Sequence, residues 1–153
     1  ALQEVEQGLA AAPDHRDLLI LKGVLQEKLG QGDAAKETFV AAEEMTDSRE
    51  KFLIERGQIY YAIVGQLETG LADIEAAIAL NPESAGAYLV LGGISEALRD
   101  YPRAIEAYQR AGELANAQND PEIAAVARYN LGTLLRRSPI QQSEENQLTT
   151  ESP

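Results

Sequence analysis

The stretch NPESAGAYLVLGGISEALRDYPRAIEAYQRAGELA, residues 81–115, decides the fold. Two segments with helical apolar spacing are separated by Arg99-Asp100-Tyr101-Pro102, a short helix–helix turn. Asn81-Pro82 ends one helix and opens the next, because Pro cannot continue a helix and Asn caps a start. In the second segment Ala104, Tyr108 and Ala111 run small, large, small at i, i+4, i+7, which is one face of a helix. In the first, Tyr88 and Leu91 flank Gly92 inside helical pattern. A mid-helix glycine costs about 1 kcal/mol relative to alanine. Close approach of a second helix supplies the reason for it.

The same pair recurs along the chain. Gly23, Gly57, Gly92 and Gly132 follow one another at 34, 35 and 40 residues. Ala35, Gly70 and Ala104 are small, Phe39, Ile74 and Tyr108 are large four residues later, and Ala42, Ala77 and Ala111 are small again. One period back from Ala35 stand Ala1, Val5 and Gly8, so residues 1–12 read as a lone second helix. Ala12-Pro13 and Asp47-Ser48 punctuate the chain as Asn81-Pro82 does. Leu29-Gly30-Gln31-Gly32-Asp33 and Val64-Gly65-Gln66 are the inner turns. The extra residue of the second unit is expected in the Val64-Gly65 turn, and the longer insertion before Gly132 in the polar segment 116–120. The expected units are 16–46, 50–81 and 85–115, with a terminal lone first helix at 121–137. The polar tail 138–153, without apolar periodicity, is expected to be disordered.

A period near 34 with two helices per unit resembles the tetratricopeptide repeat. The resemblance rests on Tyr88, Leu91, Gly92, Ala104, Tyr108 and Ala111. It rests also on Arg56-Gly57 with Tyr60-Tyr61, on Leu19, Gly23, Ala35, Phe39 and Ala42, and on Arg128-Tyr129-Asn130-Leu131-Gly132. It covers about 1–137. Gln26 and Ser95 depart from it where an apolar or aromatic residue is usual, Asn116 stands in place of a closing Pro, and Gly8 in place of Ala. The resemblance implies an all-α fold, a right-handed α-solenoid of antiparallel helix pairs, and a protein or peptide as partner.

Charge and composition exclude several classes. The 153 residues carry 13 Lys and Arg against 25 Asp and Glu, a net −12, which disfavours nucleic acid and anionic membranes. The charge is uneven: within 121–137, Glu122 faces Arg128, Arg136 and Arg137. No apolar run reaches the roughly 18 to 20 residues of a membrane helix. There is no cysteine, so disulfides and thiolate metal sites are absent. This leaves the compartment open, with a cytoplasmic placement expected.

No enzymatic constellation, cofactor motif or metal site is read. Gly30-Gln31-Gly32-Asp33-Ala34-Ala35 fits a dinucleotide fingerprint literally, but helix rather than strand precedes it. His15 is the sole histidine and has no partner at metal or catalytic spacing. Glu43, Glu44 and Asp47 gather three carboxylates, short of a calcium loop.

In tetratricopeptide proteins the first helices line the concave surface. One residue beyond the packing stripe lie Ile20, Val24 and Glu27; Ile54, Gln58 and Tyr61; Leu89, Gly93 and Glu96; and Tyr129, Thr133 and Arg136. These twelve are the expected partner-binding groove, with an apolar strip and charged flanks; the competing reading buries them against adjacent helices. Few of these places hold the Lys, Arg and Asn of a carboxylate clamp; only Asn130 and Arg136 suit one. Residue 1 is read as a boundary with the missing first helix upstream. The second reading is head-to-tail self-association of the lone end helices, or a non-catalytic domain of a larger membrane-anchored or enzymatic protein.

Overall fold

A computed structural model of the chain describes residues 1–137; the tail expectation for 138–153 lies outside the described residues. Among them are eight α-helices and no strand: α1 Leu2–Ala11, α2 Arg16–Lys28, α3 Gly32–Glu44, α4 Arg49–Ile59, α5 Leu67–Leu80, α6 Ala85–Ala97, α7 Tyr101–Ala117 and α8 Pro121–Arg137. Each helix packs on the next, and each first helix also touches the first helix of the following unit: α2 on α4, α4 on α6, α6 on α8. That nearest-neighbour stacking of antiparallel pairs is an α-solenoid.

Local chemistry sets the boundaries. Ser48, Ser84 and Asp100 accept from the amides of Lys51, Ala87 and Arg103 at the starts of α4, α6 and α7. Pro102 occupies the first turn of α7, where its missing N–H is not needed. The inner turns close on a left-handed residue, Gly30 (φ 77°), Gly65 (φ 71°) and Arg99 (φ 63°).

Both insertions lie elsewhere than expected. Tyr60–Val64 forms a π-helical turn that continues α4. Gly30 and Arg99 each stand seven residues beyond their helix glycine, and Gly65 stands eight beyond Gly57. All three lie five residues before the small residue of the next helix. The extra residue is therefore inside the helix, and the turn keeps its length. The closing bonds agree: Gln31 N–H reaches Gln26 O and Asp100 N–H reaches Ser95 O, whereas Gln66 N–H reaches back one residue further, to Tyr60 O. A π turn accepts one surplus residue while keeping the backbone bonded. The longer insertion is also largely helical. α7 and α8 have 17 residues each, and α7 runs through Ala117.

The core follows the small–large–small pattern. Ile20, Val24, Phe39, Phe52, Leu53, Tyr60 and Ile74 form one continuous buried cluster with the small Ala35, Ala42 and Ala77. A Cβ on Gly23 would lie 2.5 Å from the Phe39 ring, and one on Gly70 would lie 2.8 Å from the Gly57 carbonyl oxygen. The glycines therefore mark helix–helix contacts. Gly8 does the same for the Leu18 side chain, which a Cβ there would meet at 3.0 Å. Gln26 is buried with a partner, the Thr38 hydroxyl donating to its Oε1 at 2.7 Å. Among the described residues, buried Ser95 has no partner for its hydroxyl.

A bidentate ion pair ties the second unit. Arg56 donates from Nε to Asp73 Oδ2 at 2.8 Å and from Nη2 to Oδ1 at 2.6 Å. Its guanidinium also lies 4.9 Å from the Phe39 ring centre and 5.2 Å from that of Phe52. Burial opposes the charge on Arg56, but the bonds to Asp73 outweigh it and hold the guanidinium more firmly protonated than usual.

Candidate functional site

The twelve residues expected to line a groove do not share one surface. Ile20 and Val24 are 0% and 1% exposed, and they belong to the core. As walls of a groove they are corrected: α4 packs directly over that face of α2. Ile54 and Tyr61 are half-buried against the same cluster, and Leu89 against Ala104 and Tyr108. A Cβ on Gly93 would lie 3.3 Å from the Tyr61 hydroxyl, so a side chain already occupies the approach expected for a partner backbone.

The two glutamates serve tyrosines. The Tyr60 hydroxyl donates to Glu27 Oε2, and the Tyr108 hydroxyl donates to Glu96 Oε2 at 3.2 Å. Burial and then the neighbouring carboxylate raise both phenols well above their ordinary range, so both remain donors at neutral pH. Arg137 Nη1 reaches the other oxygen of Glu96 at 3.4 Å. Tyr129 is 70% exposed, Thr133 is half-buried, and exposed Arg136 donates to the Thr133 hydroxyl at 3.2 Å.

A surface hollow lies one face further round α2. A groove of about 520 Å³ runs between α2 and α4, lined by Arg16, Asp17, Leu18, Leu21, Glu55, Gln58, Ile59, Ala62 and Ile63. A second hollow of about 420 Å³ continues it toward α1, sharing Leu18, Leu21 and Ile63 and adding Val5, Leu25 and Val64. Together they make one apolar trough. Of the twelve expected residues, Gln58 lies in it. Leu18, Leu21 and Leu25 follow i, i+3, i+7 spacing, so they form a third apolar stripe on α2. That stripe is the signal that could have found the trough.

Arg16 and Glu55 make one end of the trough charged, and Glu4 and Lys28 line the other. Arg16 Nη2 donates to Glu55 Oε1 at 2.6 Å, while buried Arg16 Nε and Glu55 Oε2 have no partner among the described residues. Burial raises the Glu55 carboxyl above its ordinary value, against the opposing pull of Arg16. Among the described residues no group of His, Asp and Glu has metal-binding geometry, and no helix is long and apolar enough to cross a membrane.

Comparison with known proteins bears on the fold. A family model described as tetratricopeptide repeat matches residues 54–121. The crystal structure of PcrH from Pseudomonas aeruginosa is similar at 20% identity, with a TM-score of 0.58, over 80% of this chain and 92% of that one. A tetratricopeptide repeat protein from Parabacteroides merdae is similar at 19% identity, with a TM-score of 0.52, over 99% of this chain and 59% of that one. No curated protein matches significantly in sequence. The matched segment holds most of the second and all of the third helix pair, and in α2 and α3 a helix glycine likewise meets a large side chain of the paired helix. Residues 54–121 thus match the tetratricopeptide-repeat family, and the chain as a whole shares the fold of a solved tetratricopeptide repeat protein.

Proposed function

We propose that this chain is a non-catalytic protein-interaction module whose trough between α2 and α4 takes an apolar helical segment of a partner protein. The observation that carries the reading is the trough itself. Leu18, Leu21, Ile59, Ala62 and Ile63 make an apolar floor, and the Arg16–Glu55 pair closes one end. Ile63 is 62% exposed, a large apolar side chain presented to water beside a concave site. An amphipathic helix with apolar residues at i, i+3 or i+4, and i+7 matches a floor of this kind. The net charge of −12 argues against nucleic acid.

The test is capture of partners by the wild-type chain and by variants Leu21→Glu and Ile63→Glu, with Leu80→Glu on α5 as a control at another exposed leucine. A partner held by wild type and by the control, and lost from both trough variants, is the expected result. Equal retention by folded trough variants would remove the trough as the site.

A further inference from the structure

We propose that Ile63 is the residue by which the trough selects its partner: a surplus residue, held in the π turn, that presents a large apolar side chain rather than completing the fold. The inference rests on the trough reading above and names its specificity-determining residue.

Counting from both ends of the π turn isolates Ile63. Forward from the helix glycine, Tyr60 corresponds to Gln26 and Ser95, and all three are buried. Ala62 corresponds to Lys28 and Ala97, and all three are exposed. Backward from the left-handed residue, Val64 corresponds to Leu29 and Leu98, each apolar. Val64 and Leu98 both pack, half-buried, against the same core cluster. Ile63 stands between the two counts and has no counterpart in the first or third unit. The closing hydrogen bonds agree, because Gln66 and Asp100 donate to acceptors in corresponding places, Tyr60 and Ser95.

The surplus residue adds nothing to the core. Ile63 is 62% exposed among the described residues, and it lines the hollow with Leu18, Leu21 and Ile59. A residue that served only to lengthen the helix would gain nothing from being isoleucine. A β-branched side chain lowers helix propensity, and its apolar surface is unfavourable in water. With Ile63 removed, Ala62 would stand next to Val64, and the α4 wall beyond Ile59 would offer the trough little more than a methyl group. Ile63 is thus the side chain that makes this wall deep enough to hold one large apolar residue of a partner helix. A contact of that kind sets the preference for leucine over alanine at one place on the partner, since each buried methylene adds to it.

The experiment follows the fluorescence anisotropy of synthetic amphipathic peptides about four turns long, with leucines at i, i+3 and i+7 and alanine and glutamine elsewhere. A second peptide carries alanine in place of the central leucine. The wild-type chain is expected to prefer the first by about tenfold or more. Deletion of Ile63 is expected to remove most of that preference and to keep the helical melt, because the wide turn becomes the regular turn of the other units. Ile63→Ala, which keeps the wide turn, is expected to lose the preference as well, and Ile63→Leu to retain it. A wild-type chain without the preference overturns the inference, as does a preference that Ile63→Ala leaves unchanged. A deletion that unfolds the chain shows that the residue is not surplus and overturns it too. If Leu21→Glu weakens the leucine peptide while neither Ile63 variant changes the preference, the trough reading stands and Ile63 is not its selector. Peptide binding that Leu21→Glu also leaves unchanged removes the trough itself.

Discussion

Gly57 and Gly70 meet backbone to backbone, which sets this contact apart from the others in the array. A Cβ on Gly70 would press on a carbonyl oxygen that cannot rotate away, at 2.8 Å. Gly70→Ala is therefore expected to lower stability by about 1–3 kcal/mol, the usual cost of overpacking, despite alanine's better helix propensity. Urea denaturation followed by circular dichroism checks it, and a neutral or stabilising result would show that α4 and α5 can separate cheaply. Residues of this kind were legible in the sequence because their period is visible without knowing what they touch. Asp73 was not legible. It precedes Ile74 on a buried face, and only the fold brings Arg56 to it from 17 residues away. Ile20 and Val24 were placed on the wrong surface for a related reason. α2 is apolar on nearly every side, and spacing alone does not say which stripe meets α4 and which meets water.

At the scale of elements, the three inner turns share one geometry with different residues. Gly30 and Gly65 adopt left-handed backbone at no steric cost, whereas Arg99 holds φ 63° with a side chain. A non-glycine residue there carries a cost of about 1–2 kcal/mol, part of which glycine returns as lost chain entropy. Arg99→Gly is expected to raise stability by about 0.5–1 kcal/mol. Thermal melting measures this, and no gain would mean that Arg99 makes a compensating contact. The helices themselves could be read from caps and apolar spacing. The π turn could not, since counting residues shows only that one is surplus between Gly57 and Gly70. Its place is fixed by the hydrogen bond from Gln66 to Tyr60.

The molecule as a whole is a row of neighbours, so stability is local and passes along the row. Arg56 stands at a junction: its ion partner Asp73 is in the second unit and one of its aromatic neighbours, Phe39, is in the first. Asp73→Ala leaves a largely buried guanidinium without its carboxylate. The expected cost is about 3 kcal/mol, at the low end for breaking a buried pair because Arg56 keeps some access to water. Hydrogen exchange should then show α4 and α5 opening before α6 and α7, which share their own cluster of Ala104, Tyr108 and Leu134 with α8. Uniform loss of protection along the chain would show instead that the array unfolds as one block.

The wide turn at Tyr60–Val64 bears on how such an array can vary by descent. A residue gained in a loop changes the reach of the loop, and one gained in a regular helix turns every later side chain by about 100°. Here the surplus is held within five residues, and the left-handed turn after it sits in the same register as its counterparts. The neighbours are undisturbed, while Ile63 and Val64 come to rest on the trough. Helix length and the lining of the trough can thus change together at this one position while the stacking of the units is kept intact.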